Sequence, residues 1–190
     1  MTTQRPLRTD AARNAELLVH AAWRAFTETG ATDIPMEEIA RRAGVGVATL
    51  YRRFPSKDDL LLAVLEWRYA EGVEPVIEQA LVDDDPWRAM AECLHAALQI
   101  AASAHRVIKS AREPEILIQG LKNRYFNDFT RIVQRAQAAG VVRDDLSADD
   151  IRLMLFMLIS TVRIDASWHR GLGLLLDGLR PSAATPLDGP

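Results

Sequence analysis

Cysteine is almost absent from this chain of 190 residues: Cys93 stands alone, which excludes an internal disulfide and fits a reducing compartment. The N-terminus is polar and carries no apolar core segment, so no signal peptide is expected. Long apolar runs are missing too. The most apolar one, Leu153–Ile159, lies between Arg152 and Ser160 and is far too short to cross a bilayer. Runs of β-branched residues are scarce while Ala, Leu, Arg and Glu dominate, so the expected fold is all-α. The four histidines (His20, His95, His105 and His169) are scattered, and no H-E-x-x-H, C-x-x-C, G-x-S-x-G or phosphate-loop pattern occurs. A metal between His95 and His105 would need a third ligand that the sequence does not offer. These absences predict a soluble cytoplasmic protein with no membrane partner, no metal, no cofactor and no enzymatic chemistry.

The hydrophobic content of 48% with 26% charged residues suits a globular protein of one domain or two small ones. The net charge of −3 is uneven. Residues 1–57 hold nine Lys/Arg against six Asp/Glu, a net +3, and the remainder holds 14 against 20, a net −6. A basic head on an acidic body is the distribution expected when only the head meets phosphate.

The stretch Met36–Lys57, MEEIARRAGVGVATLYRRFPSK, organises the head. Met36, Ile39, Ala40 and Ala43 follow the i, i+3, i+4, i+7 spacing of one helical face. Gly44 ends that helix, because only glycine takes the left-handed C-terminal conformation without steric cost. Helix resumes from Val47 to Phe54, with Val47 and Leu50 expected to face inward, and Pro55 stops it. Two short helices around a glycine turn form a helix–turn–helix, whose second helix enters the major groove of DNA.

The longer stretch IARRAGVGVATLYRRFPSKDDLLLAVLE resembles the signature of TetR-type (tetracycline-repressor-type) transcriptional regulators, with Ala40, Gly44, Val45, Thr49, Leu50, Tyr51, Phe54 and Lys57 carrying the likeness. The likeness covers roughly the first third of the chain, and it implies DNA contact by Thr49, Tyr51, Arg52, Arg53 and Lys57. Tyr51 and Lys57 carry over as phosphate contacts, which position the head without reading sequence. Arg52 and Arg53 point about 100° apart around the helix and cannot share one role. Arg53 stands where the family usually has His or Tyr against the backbone, and suits a bidentate phosphate contact. Arg52 and Ala48, with Val47 beside them, lie nearer the base edges, where arginine suits guanine and small apolar groups suit the thymine methyl. This chain departs from the family at Pro35, where a capping Ser or Thr is usual, and at Gly46-Val47, where Ser-Lys or Ser-Arg is common.

Elsewhere the punctuation is local. Residues 1–8 read as a mobile basic arm or a frayed terminus. A first helix is expected from about Asp10 to Thr29, with Leu18, Ala22 and Phe26 on its buried line and Gly30 as its stop. Ser56 and Asp59 form a capping box for a helix ending near Pro75, or continuing with a kink to Val82. Asp83-Asp84-Asp85-Pro86 opens the next helix, and Ala102–Arg112 reads as a separate short one. A long helix is expected from Pro114 to Gly140, then a second capping box at Ser147 and Asp150 leading into IRLMLFMLISTVR. The last helix runs from about Trp168 to Arg180. The passages AGVVRDDLSADDIRLMLFML and RGLGLLLDGLRP are similar to the C-terminal domain of the SbtR-like TetR subgroup. The expected division is 1–57 for DNA binding, 58–180 for effector binding and dimerisation, and 181–190 as a disordered tail.

Two expectations concern the body. His95 and Gln99 form an i, i+4 polar pair that either faces solvent or lines a cavity walled by Trp67, Phe126, Phe129 and Met154, suited to a small-molecule effector. Trp168, Leu172, Leu175 and Leu179 form an apolar stripe that, with Leu155, Leu158, Ile159 and Val162, would make a four-helix homodimer interface. The resemblance therefore implies a homodimeric repressor of a palindromic operator in double-stranded DNA, released by a small molecule. The alternative is a helical small-molecule-binding or enzymatic bundle with a vestigial head.

Overall fold

Short-range capping contacts set the helix boundaries. The computed structural model describes residues 5–28, 33–113, 127–147, 149–151, 153, 154, 157, 167–183 and 185–187, and every regular element among them is helical. Helices α1 (Arg5–Glu28), α2 (Met36–Ala43), α3 (Val47–Arg53), α4 (Lys57–Gly72), α5 (Glu74–Val82) and α6 (Pro86–Lys109) follow in order. Helix α7 covers 127–138, residues 149–151, 153, 154 and 157 are helical, and α8 spans Ser167–Gly178, followed by a 3-10 turn at Pro181–Ala183. No helix among the described residues is long and apolar enough to cross a membrane.

Both left-handed glycines end helices in the same way. Gly44 has φ +66°; its N–H donates to the Arg41 carbonyl and that of Val45 to the Ala40 carbonyl. Gly140, at φ +69°, repeats the pattern, its N–H donating to Gln137 and that of Val141 to Ala136. These paired bonds satisfy carbonyls that the helix end would leave without donors. The two capping boxes also form: Asp59 N–H donates to Ser56 Oγ at 3.1 Å while Ser56 N–H donates to Asp59 Oδ2 at 2.9 Å, and Ser147 with Asp150 does the same at 3.1 and 2.8 Å. Asp85 caps α6 by accepting the N–H groups of Trp87 and Arg88.

Several boundaries differ from expectation. Helix α1 already includes Arg5, so the second half of the expected arm is helical. Its stop at Gly30 lies outside the described residues. Helix α4 ends at Gly72, and Pro75 sits in the first turn of α5, where its missing N–H costs nothing, so helix resumes to Val82. Helix α6 runs unbroken to Lys109, because its alanine-rich second half contains no breaker. The start of the expected helix from Pro114 lies outside the described residues.

The chain divides into two compact units: Met1–Trp67 with Arg106–Leu121, and Arg68–His105 with Lys122–Pro190. The first buries Leu18, Ala22 and Phe26 of α1 together with Ile39, Ala40, Leu50 and Leu60. Trp67 packs here against His20 and Trp23, with ring centroids 4.5 and 6.3 Å away. The second unit has a core of Val73, Met90, Leu94, Leu98, Ile132, Val133 and their neighbours. A side chain at Gly72 would meet Ile100 Cδ1 at 2.5 Å, so glycine permits α4 and α6 to approach there. Arg135 of α7 donates to the carbonyls of Ala80 and Asp83 at 2.6 and 2.7 Å and so caps the end of α5.

The C-terminal segment corrects two expectations. Leu172 and Leu179 of the presumed interface stripe are buried within this chain's own core, with Leu175 and Trp168 packed against it. A periodic apolar face identifies a buried side, not the chain that buries it. Leu155, Leu158, Ile159 and Val162 lie outside the described residues. In the expected tail, Arg143 donates to Asp145 and to the Thr185 carbonyl, and Leu187 N–H donates to Asp145 Oδ2 at 3.1 Å. This part of the segment is therefore anchored.

Candidate nucleic-acid interface

Helix α3 is presented by what it buries. Leu50 is fully buried against the head, and Phe54, also buried, closes the turn by donating its N–H to the Leu50 carbonyl at 2.8 Å. With 100° between successive residues, fixing Leu50 inward turns the opposite face of a seven-residue helix outward. Ala48, Arg52 and Arg53 are exposed, and Thr49 and Lys57 are half-buried. Tyr51 is 42% exposed and Val47 41%, so Val47 does not face inward as its spacing suggested. It opens the helix, where the preceding turn offers no surface to cover it.

Cations and hydroxyls dominate this face. Arg52 Nη2 lies 3.4 Å from Thr49 Oγ1, and the Arg53 guanidinium sits 5.4 Å from the Phe54 ring centroid. A groove of about 320 Å³ is lined by Asp10 and Asn14 of α1 and by Thr49, Arg52 and Arg53 of α3. Sequence reasoning did not bring α1 to this face. Its contribution depends on tertiary packing that no local pattern encodes.

The same reasoning missed the acids around the site. Tyr51 donates its hydroxyl proton to Glu37 Oε1 at 2.8 Å. Lys57 Nζ donates to Asp33 Oδ1 at 3.0 Å and lies 5.5 Å from the Phe26 ring centroid. Glu38 accepts from both Arg41 and Arg42, chiefly Arg41, which holds its carboxyl down at about 2. Glu37 is also lowered, by its own backbone N–H and then by Tyr51, while the Tyr51 hydroxyl is raised by the bond to Glu37. Glutamates at the start of α2 also suit the positive end of the helix. Pro35 precedes α2 with no side-chain cap, as its sequence implied.

Comparison with known proteins settles what kind of head this is. The family model of bacterial regulatory proteins of the TetR family matches residues 18–64. That of the SbtR-like transcriptional regulator C-terminal domain matches residues 85–181, just over half of the chain. The chain belongs to the TetR family. It is a DNA-binding transcriptional regulator with a helix–turn–helix head and a helical C-terminal domain; the family's members are regulators, not enzymes. A TetR regulatory protein from Mycobacterium vanbaalenii is 31% identical, with 92% of this chain and 99% of that one covered at a TM-score of 0.63. A TetR regulator from Streptomyces coelicolor is 28% identical, over 89% and 99% of the two chains, with a TM-score of 0.59. An HTH-type transcriptional regulator of Staphylococcus aureus is 38% identical over 60 residues, and the match spans only 32% of either chain.

The residues expected at the effector site comprise exposed and buried side chains. His95 and Gln99 are exposed; the His95 ring packs at 5.2 Å from Trp168 and 5.6 Å from His169. Trp67 belongs to the first compact unit, and Phe126 lies outside the described residues. Phe129 and Met154 do meet, lining an apolar cavity with Met90, Leu94, Val133 and Leu175. Its volume is about 10 Å³, room for one water at most. On the same unit, Leu153, Met157 and Leu174 are exposed large apolar residues.

Proposed function

We propose that this TetR-family regulator is a homodimeric repressor that binds a palindromic operator through α3 and is released by a small molecule. The observation that carries the reading is the outward face of α3, where Val47, Ala48, Tyr51, Arg52 and Arg53 are exposed around a buried Leu50. Arg52, with Ala48 and Val47, reads base edges; Tyr51, Arg53, Thr49 and Lys57 hold phosphate. Residues 1–57 form the reading head, and 58–180 carry effector binding and dimerisation.

Two heads on a two-fold axis meet successive major grooves when their half-sites lie about 34–36 Å, one helical turn, apart. The partner surface includes the exposed apolar residues Leu153, Met157 and Leu174. A small-molecule effector opens the cavity between Phe129 and Met154 in the body, which is otherwise too small for it. Helix α4, whose residues belong to both compact units, couples that change to the heads, and the population shifts toward a spacing that no longer fits the operator. A soluble, cytoplasmic location accords with this role. Selection of bound fragments from genomic DNA tests the reading: it yields an inverted repeat upstream of genes whose transcription rises when the regulator is deleted. Unchanged or reduced transcription on deletion would exclude repression.

A further inference from the structure

Two of the donors assigned to phosphate are already engaged by carboxylates of the same head. Tyr51 donates to Glu37 at 2.8 Å and Lys57 to Asp33 at 3.0 Å. A phenol has one proton to donate, and a phosphate diester oxygen only accepts, so Tyr51 cannot grip phosphate while Glu37 holds its proton. The Lys57 ammonium has three protons, and Asp33 competes there by charge rather than by exhausting the donor. The Asp33 side chain is 98% exposed and Glu37 is exposed, so burial fixes neither acid in place. The guanidiniums are treated differently: among the described residues no carboxylate pairs with Arg52 or Arg53. Arg52 reaches Thr49, and Arg53 lies over Phe54.

We propose that Glu37 and Asp33 are built-in competitors of the DNA backbone, occupying the phosphate-gripping donors of the free head and displaced when duplex binds. The inference rests on α3 being the DNA-facing helix. Because phosphate contacts carry no sequence information, the competition lowers affinity for every duplex by one factor and leaves the preferred sequence unchanged. In Glu37→Gln the amide still accepts the Tyr51 proton, but a neutral pair is about half as strong as a charged one, and the local negative charge is gone.

The test measures binding of the full-length protein to a random-sequence duplex and to its selected operator, at low and high salt. Glu37→Gln and Asp33→Asn should each tighten binding to both duplexes by about two- to fivefold at low salt, the scale of an exposed ion pair, and by less at high salt. Glu92→Gln, the same charge change at an exposed site on α6, should do nothing. In a Tyr51→Phe background the gain from Glu37→Gln should fall to less than half. Variants no tighter than the Glu92→Gln control, or weaker than wild type, would overturn the inference and leave the DNA-facing helix standing. A gain undiminished by Tyr51→Phe would also overturn it, since plain charge repulsion would then suffice. Absence of any salt-sensitive binding by the wild type would overturn the inference and the reading it rests on together.

Discussion

Two leucines two positions apart on α8 should fail in opposite ways. Leu172 is 5% exposed and part of the core that includes Met90, Leu94 and Ile132, whereas Leu174 is 65% exposed. Leu172→Ala removes buried methyl groups and leaves a cavity, a change that costs about 2–5 kcal/mol. For a chain of this size each 1 kcal/mol shifts the melting temperature by about 2–4 °C, so a fall of roughly 4–20 °C is expected. Leu174→Asp adds a charge to a surface already in water, and its cost to the isolated chain should stay within about 0.5 kcal/mol. Its effect belongs to assembly. Sedimentation velocity should show a dimer for wild type and a monomer for Leu174→Asp, with operator affinity severely reduced. The wild-type melting temperature should rise with protein concentration, and that of Leu174→Asp should not. A Leu172→Ala variant that melts with the wild type would refute the assignment of this stripe to the chain's own core. A Leu174→Asp variant that remains dimeric would refute Leu174 as part of the interface.

Three further outcomes follow from the head. Arg53→Ala and Lys57→Ala should each weaken binding to all sequences and reduce the slope of log affinity against log salt by about one, measured by titration at several salt concentrations; an unchanged slope would remove them from the phosphate contacts. Gly44→Ala meets no neighbouring atom but forces alanine to φ +66°, so it should cost about 1–2 kcal/mol of stability by denaturant titration, and an unaffected midpoint would contradict the left-handed turn. Glu38 has its folded value depressed from 4.5 to about 2 by Arg41 and Arg42, so its contribution is complete above the unfolded value and lost as pH falls toward 2; Glu38→Gln should flatten the loss of thermal stability between about pH 4.5 and 2. An equally steep loss in that variant would mean other carboxylates govern it.

Features written within a few residues were legible before the structure. Gly44 and Gly140, the Ser56–Asp59 and Ser147–Asp150 boxes, and the Leu18, Ala22, Phe26 stripe all depend on spacings of one or two helical turns. What escaped depended on partners. Tyr51 and Glu37 are 14 residues apart and Lys57 and Asp33 are 24 apart, so nothing periodic announces either pair. Amphipathicity marked α8 as one-sided, but could not say that Leu172 and Leu179 cover the chain's own core. His95 and Gln99 share a helical face, and their exposure was decided by neighbouring alanines such as Ala96, which take the buried positions instead. Near Pro75 both expected outcomes occur: α4 ends at Gly72, and helix resumes through the proline in the first turn of α5 to Val82.

The central claim is that the outward face of α3 reads DNA, with Arg52 at the base edges, and one selection experiment addresses it. Random duplexes are enriched separately on the wild-type protein and on Arg52→Ala, and the bound pools are sequenced. The wild type should enrich an inverted repeat with two equivalent half-sites. Arg52→Ala should lose preference at one base pair of each half-site, at a cost of roughly 1–3 kcal/mol there, and keep the rest of the motif. An unchanged motif for Arg52→Ala would contradict its role, and no enriched motif for the wild type would contradict the account as a whole.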